Sequence, residues 1–133
     1  MNLKKVLSKD TVLPTLRAET KTDAIEELVD FLVKTHRISD RKTALQAVLD
    51  REAKMSTGMQ NGIAIPHGKT DAVNELLVAI AIKKGGIDFD AMDGQPCTIF
   101  IMTLSPENRT GPHIQFLAEI SKLLGSANLR EKL

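Results

Sequence analysis

The chain has 133 residues and a mass of 14.6 kDa, the size of one compact domain. Lys plus Arg is 18 and Asp plus Glu is 17, a formal net charge of +1, with no basic arm or acidic tail on either side of Pro66. That balance argues against a nucleic-acid binder, which carries a clustered basic surplus. Aromatic residues are 3% of the chain, all Phe, so base-stacking and sugar-stacking platforms are poorly supplied. A single cysteine, Cys97, excludes an internal disulfide framework and a cysteine-rich zinc site. The longest apolar runs, Leu76–Ile82 and Cys97–Leu104, fall far short of the roughly 20 residues of a bilayer span. In MNLKKVLSKD no hydrophobic stretch follows the lysines, so no secretory leader is read there. The expectation is a cytoplasmic protein of one domain over residues 1–133, without membrane insertion.

Residues 21–36 place Ile25, Leu28, Val29, Leu32 and Val33 at helical spacing, with Thr20 or Thr22 as the N-cap and His36 at the end. A second helix is predicted over 39–54, capped by Ser39 or Asp40, with Ala44, Leu45, Val48 and Leu49 as its apolar stripe. Two glycines and Asn61-Gly62 then mark turns, and Ile63-Ala64-Ile65 reads as a short strand ended by Pro66. Leu76–Ile82 and Cys97–Leu104 read as buried strands, the first closed by Lys83-Lys84-Gly85-Gly86. A third long helix is predicted over 112–124, with Pro112 near its start and Gly125 as its stop, and a short helical piece over 127–133. Helices before and after a cluster of strands predict a layered α/β or α+β sandwich.

His67 draws attention because it leaves a strand at a proline and precedes Gly68. Pro66 restrains Ile65 to an extended shape, and Gly68 leaves room beside the imidazole. Such a histidine is held at a defined angle on a lip, although a surface histidine in a turn fits the same spacing. Gly111-Pro112-His113 opens the third helix, where backbone N–H groups and the positive dipole end favour an anion and a neutral imidazole. The two histidines together would enclose a phosphoryl group; a plain helix cap at His113, or a histidine-liganded metal site, remains the alternative. No HxxxH or CxxC spacing supports the metal, and no cofactor is expected. His36 is explained by its helix C-terminus, and Cys97 by the core.

The stretch Arg51-Glu52, Ser56-Thr57-Gly58 and Asn61-Gly62-Ile63-Ala64-Ile65-Pro66-His67-Gly68 resembles the signature of the fructose/mannitol-type enzyme IIA domains of the bacterial phosphoenolpyruvate-dependent sugar phosphotransferase system, a group that includes the PtsN-like nitrogen-regulatory proteins. The likeness continues through Gly86–Pro96, Ser105-Pro106-Glu107 and His113, and so spans nearly the whole chain. One departure is Gln60, where the family has a small residue.

The resemblance implies a mixed sheet of about four to five strands flanked by helices on both faces. It implies a phosphotransferase in which His67 takes a phosphoryl group from the carrier HPr and passes it to a cysteine of enzyme IIB. His113 and Arg51 map onto the family's second histidine and arginine, which stabilise that group, with Ser56, Thr57 and Asn61 in support. This chemistry needs an unprotonated nitrogen aimed in line, and donors for the phosphoryl oxygens. A carbonyl or carboxylate on the other ring nitrogen would fix the tautomer. Arg51 offers a planar fork, His113 an N–H, and the turn hydroxyls further donors. Met55, Met59 and Ile65 supply an apolar partner surface around His67 or belong to the core. Two other readings use the same chain: a PtsN-like regulator whose phosphorylation state controls protein partners, and an interaction domain of this fold without histidine chemistry.

Overall fold

The computed structural model describes residues 12–13, 15–36 and 38–107. Helix α1, Lys21–His36, coincides with its predicted span. Thr20 caps it, its Oγ1 accepting from the Asp23 N–H at 3.2 Å. Its face of Ala24, Ile25, Leu28, Val29 and Leu32 is fully buried. Each of the larger of these side chains contributes about 1.5–3 kcal/mol by leaving water. Helix α2, Arg41–Lys54, is capped by Asp40, which accepts from the Thr43 N–H at 3.1 Å and the Thr43 hydroxyl at 2.6 Å. Arg41 pairs with Asp30 and ties the two helices together.

Among the described residues, five strands form one mixed sheet: β1 (Val12–Leu13), β2 (Ile63–Ala64), β3 (His67–Lys69), β4 (Leu77–Ile87) and β5 (Cys97–Ser105). The order is β1-β4-β5-β2, with β3 also on β5. β4 and β5 pair antiparallel, and every other pair is parallel. Period-two alternation sorts the side chains. Leu77, Ala79, Ala81, Phe100, Met102 and Leu104 face α1 and α2, while Val78, Ile80, Ile99 and Ile101 join Ile63 and Ile65 on the other face. Both described helices thus cover one face. The helices expected over 112–124 and 127–133, and His113 with them, lie outside the described residues.

Two strand boundaries differ from the sequence reading. Lys83-Lys84-Gly85-Gly86 does not close β4, which runs on to Ile87. Pairing shifts between Ile82↔Ile99 and Ile87↔Cys97, so the extra residues bulge opposite Thr98. Gly86 allows this with φ of +76°, and a Cβ there would stand 2.7 Å from the Cβ of Pro96.

Nor does the strand end at Pro66. Ala64 pairs with Phe100 and His67 with Thr103, so the register is the same on both sides. β2 and β3 are one strand interrupted where proline has no N–H to give. His67 is therefore the first residue of a strand rather than a residue emerging after one. Gly68 also has another purpose than room beside the ring. A Cβ there would lie 3.0 Å from Val48 N and 3.1 Å from Ala47 C, both in the α2 backbone. Glycine lets β3 lie directly on α2. Gly68→Ala should push them apart and cost about 1–3 kcal/mol, read as a lower urea midpoint; an unchanged midpoint would show that α2 yields.

Candidate functional site

His67 is half-buried at the sheet edge, and its Nδ1 lies 2.9 Å from the carbonyl oxygen of Ile65. A carbonyl only accepts, so Nδ1 carries the proton and the neutral ring keeps its lone pair on Nε2. Pro66 makes this bond possible by holding Ile65 extended, two residues before the ring. The carbonyl that fixes the tautomer thus comes from the motif itself.

Burial pushes the His67 pKa below its ordinary value; the Ile65 bond opposes this, while the positive charges of Arg51 and Lys69 reinforce it and Glu52 opposes it. The ring is therefore neutral at neutral pH, the form a nucleophile needs. The sign for stability follows: the charged form is disfavoured in the folded state, so His67 withdraws stability as pH falls below the unfolded value of about 6.5. Followed by NMR, the His67 ring should titrate below that value; a midpoint at or above it would contradict the burial argument.

Two depressions meet at His67 and Arg51. The larger, about 820 Å³, is lined on its helical side by Thr43, Ala47, Asp50, Arg51 and Lys54, one face of α2, and on the other by β3. The smaller, about 540 Å³, is bounded by Met55–Met59, Ile65, Asp90 and Met92. Arg51 sits in the last turn of α2, and its Nη1 donates to the Met55 carbonyl at 2.8 Å. That bond holds the guanidinium beside His67 and leaves further N–H groups of the fork for an anion.

The hydroxyls of Ser56 and Thr57 serve the protein backbone and a carboxylate. Ser56 donates to the Phe89 carbonyl at 2.6 Å and accepts from the Gly58 N–H at 3.0 Å. Thr57 is buried and donates its hydroxyl to Glu52 at 2.5 Å. Asn61 occupies the turn with φ of +64°, followed by Gly62 at +76°. It lines neither depression, and the exposed Gln60 beside it does not either. His36 is exposed at the end of α1, away from both. Cys97 is buried, and burial first of all pushes its thiol up to about 11, as befits a core residue.

Glu52 and Lys21 received no role from the sequence, yet they brace the loop. Glu52 is buried; its Oε2 accepts from the Thr57 N–H at 2.7 Å and pairs with Lys21 Nζ at 2.9 Å. Lys21 also reaches Asp90 at 3.3 Å and stands 5.1 Å over the Phe89 ring. One signal was in the sequence: Ala44, Val48 and Glu52 continue one buried stripe at four-residue spacing. Met92 likewise joins Met55 and Met59 on the smaller depression, whereas Ile65 lines it while packed into the second core. Among the described residues no group of three His, Cys, Asp or Glu converges as a metal site.

The described mixed α/β fold matches solved IIA components of the phosphotransferase system. The chain superposes on nitrogen regulatory protein IIA-Ntr from Neisseria meningitidis with a TM-score of 0.88 and 27% identity, over 97% of this chain and 88% of that one. With enzyme IIAMTL of Escherichia coli, seen by NMR in complex with phosphorylated enzyme IIBMTL, the TM-score is 0.76 at 25% identity, over 90% and 82%. The chain belongs to the family described as phosphoenolpyruvate-dependent sugar phosphotransferase system, EIIA 2, whose model matches residues 5–133. Among curated relatives it is 46% identical to the fructose-specific EIIA component of Haloferax volcanii, over 86% of this chain and 74% of that protein. No described helix is long and apolar enough to cross a membrane.

Proposed function

We propose that this chain is a cytoplasmic phosphocarrier, a single IIA domain that takes a phosphoryl group on His67 from phospho-HPr and hands it to a cysteine of an enzyme IIB. The observation that carries the reading is the Nδ1 contact to the Ile65 carbonyl at 2.9 Å, which leaves Nε2 as the nucleophile. Nε2 attacks phosphorus as the bond to the HPr nitrogen breaks. In the second half-reaction a IIB thiolate attacks and the His67 nitrogen leaves with its electron pair. Covalent help from the protein is minor; positioning and charge neutralisation do most of it. Arg51 meets the phosphoryl oxygens, with His113 as second donor by family likeness. Ser56, Thr57 and Asn61 support the site indirectly, by holding the loop and turn that frame it. The methionine-lined depression supplies adaptable apolar contact for the two partners in turn. A IIB partner is supported by the IIAMTL–IIBMTL complex, whose IIA chain has this fold.

Incubation with radiolabelled phosphoenolpyruvate, enzyme I and HPr should place acid-labile, base-stable label on the chain, and a IIB domain should discharge it. Failure to take label under conditions that charge HPr would sink the reading.

The likeness to IIA-Ntr favours a second use of the same histidine, as a switch for protein partners. Capture of partners by the phosphorylated and unphosphorylated chain separates the two. A regulator retains a target in one state only, whereas a transport component binds its relay partners alone.

A further inference from the structure

We propose that Met55, Met59 and Met92 form an oxidation-sensitive rim, through which hydrogen peroxide shuts off phosphoryl exchange at His67. The inference rests on the phosphocarrier reading and adds a modification site to it. Four large hydrophobic side chains are exposed among the described residues, and three are these methionines, at 70%, 40% and 69%. All three line the depression that His67 and Arg51 also line, so the exposure is concentrated at the site.

The thioethers sit on bonded backbone. Met59 N–H donates to the Ile63 carbonyl at 2.7 Å, Met92 N–H to the Gly58 carbonyl at 3.2 Å, and the Met55 carbonyl accepts from Arg51. A Cβ on Gly58 would meet Ala91 Cα at 2.8 Å, so the two segments carrying the methionines touch. The three exposed methionines therefore share one rim beside His67.

The chemistry needs only a peroxide. A sulfur lone pair attacks one peroxide oxygen, the S–O bond forms and the O–O bond breaks. Sulfur gives up two electrons, and the departing oxygen leaves as water after a proton shift. The product sulfoxide is polar where the thioether was apolar, and its oxygen must be stripped of water before a partner can dock. Among the described residues, the competing groups are shielded. Met102 is 0% exposed, and Cys97 is 0% exposed with little thiolate at neutral pH. Methionine sulfoxide is reducible, so the block is reversible.

The test treats the full chain with hydrogen peroxide, removes the oxidant with catalase, and only then adds enzyme I, HPr and labelled phosphoenolpyruvate. Peptide mass mapping should find Met55 and Met92 oxidised ahead of Met59, with Met102 and Cys97 unchanged. The rate of labelling should fall about tenfold, the change that a loss of about 1.4 kcal/mol in docking produces. Methionine sulfoxide reductases of both epimer specificities should restore it. In the triple variant Met55→Leu/Met59→Leu/Met92→Leu, peroxide should leave the variant's own starting rate unchanged, whatever that rate is. Oxidised rim methionines with an undiminished rate would overturn the inference. So would a rate that falls and is not recovered by the reductases. Absence of label on the untreated chain is a different result, and would overturn the phosphocarrier reading together with what rests on it.

Discussion

His67→Gln should take up no phosphoryl group from phospho-HPr, a loss of at least about a thousandfold in rate, because glutamine has no nucleophilic nitrogen. The structure makes this test specific. His67 is half-buried at the start of β3, and the interactions lost include the hydrogen bond to Ile65, about 1 kcal/mol. The variant should fold, with a melting temperature within several degrees of the parent. Circular dichroism establishes the fold, and the acid-labile label reports the chemistry. A folded His67→Gln that still takes base-stable label would move the acceptor elsewhere, and His113 would be next to test. Arg51→Met should weaken the same reaction without abolishing it, since the nucleophile stays and only its anion partner goes.

The second large effect concerns stability. Glu52→Ala removes the acceptor of the Thr57 N–H and hydroxyl and the nearer anion of Lys21. Thr57 is 5% exposed, so little water reaches its orphaned groups. Among the described residues, the anion left to Lys21 is Asp90, whose side chain is 74% exposed and therefore weakly held. Breaking a buried pair costs about 3–5 kcal/mol. Because the Lys21 side chain is 21% exposed, part of that is recovered in water. We expect about 2–4 kcal/mol, a large share of a domain's stability of roughly 5–15 kcal/mol. Urea unfolding measures it, and a loss under about 0.5 kcal/mol would show that the network is ornamental. Glu52→Gln should recover part of the loss, because the amide oxygen still accepts from Thr57 while the charge facing Lys21 is gone.

How far the sequence reaches can be judged from particular residues. Helix α1 was legible to its end residues because its apolar period, its threonine cap and its length agree. The core of β4 and β5 was legible from two apolar runs. The Lys83–Gly86 bulge was not, since a bulge is settled by the partner strand and by Gly86 against Pro96. The Asn61-Gly62 turn was visible from its dipeptide, and the positive φ values at both positions are what that pair is suited to. The arrest of pairing at Pro66 was foreseen, yet its resumption at His67 was not. Whether a strand continues past a proline depends on β5 lying there to receive it.

Three histidines and one cysteine are a small reactive inventory, and the candidate site gathers around one of them, His67. By itself the sequence determined the chemical candidates: the IPHG motif with its proline, the arginine on the preceding helix, and the likeness that points to phosphoryl transfer. Local rules suffice there, because a proline's φ, a helix period and a turn dipeptide act over a few residues. Only the tertiary structure decided the rest. It assigned the proton of His67 to the nitrogen facing Ile65, and drew the methionines at 55, 59 and 92 onto one rim. It gave Gly68 the contact with α2, and turned Glu52 from a helix-end charge into the brace of the loop. Each of these depends on groups that the fold brings together, and burial, hydrogen-bond partners and charge neighbours do not exist for a residue until the rest of the chain surrounds it.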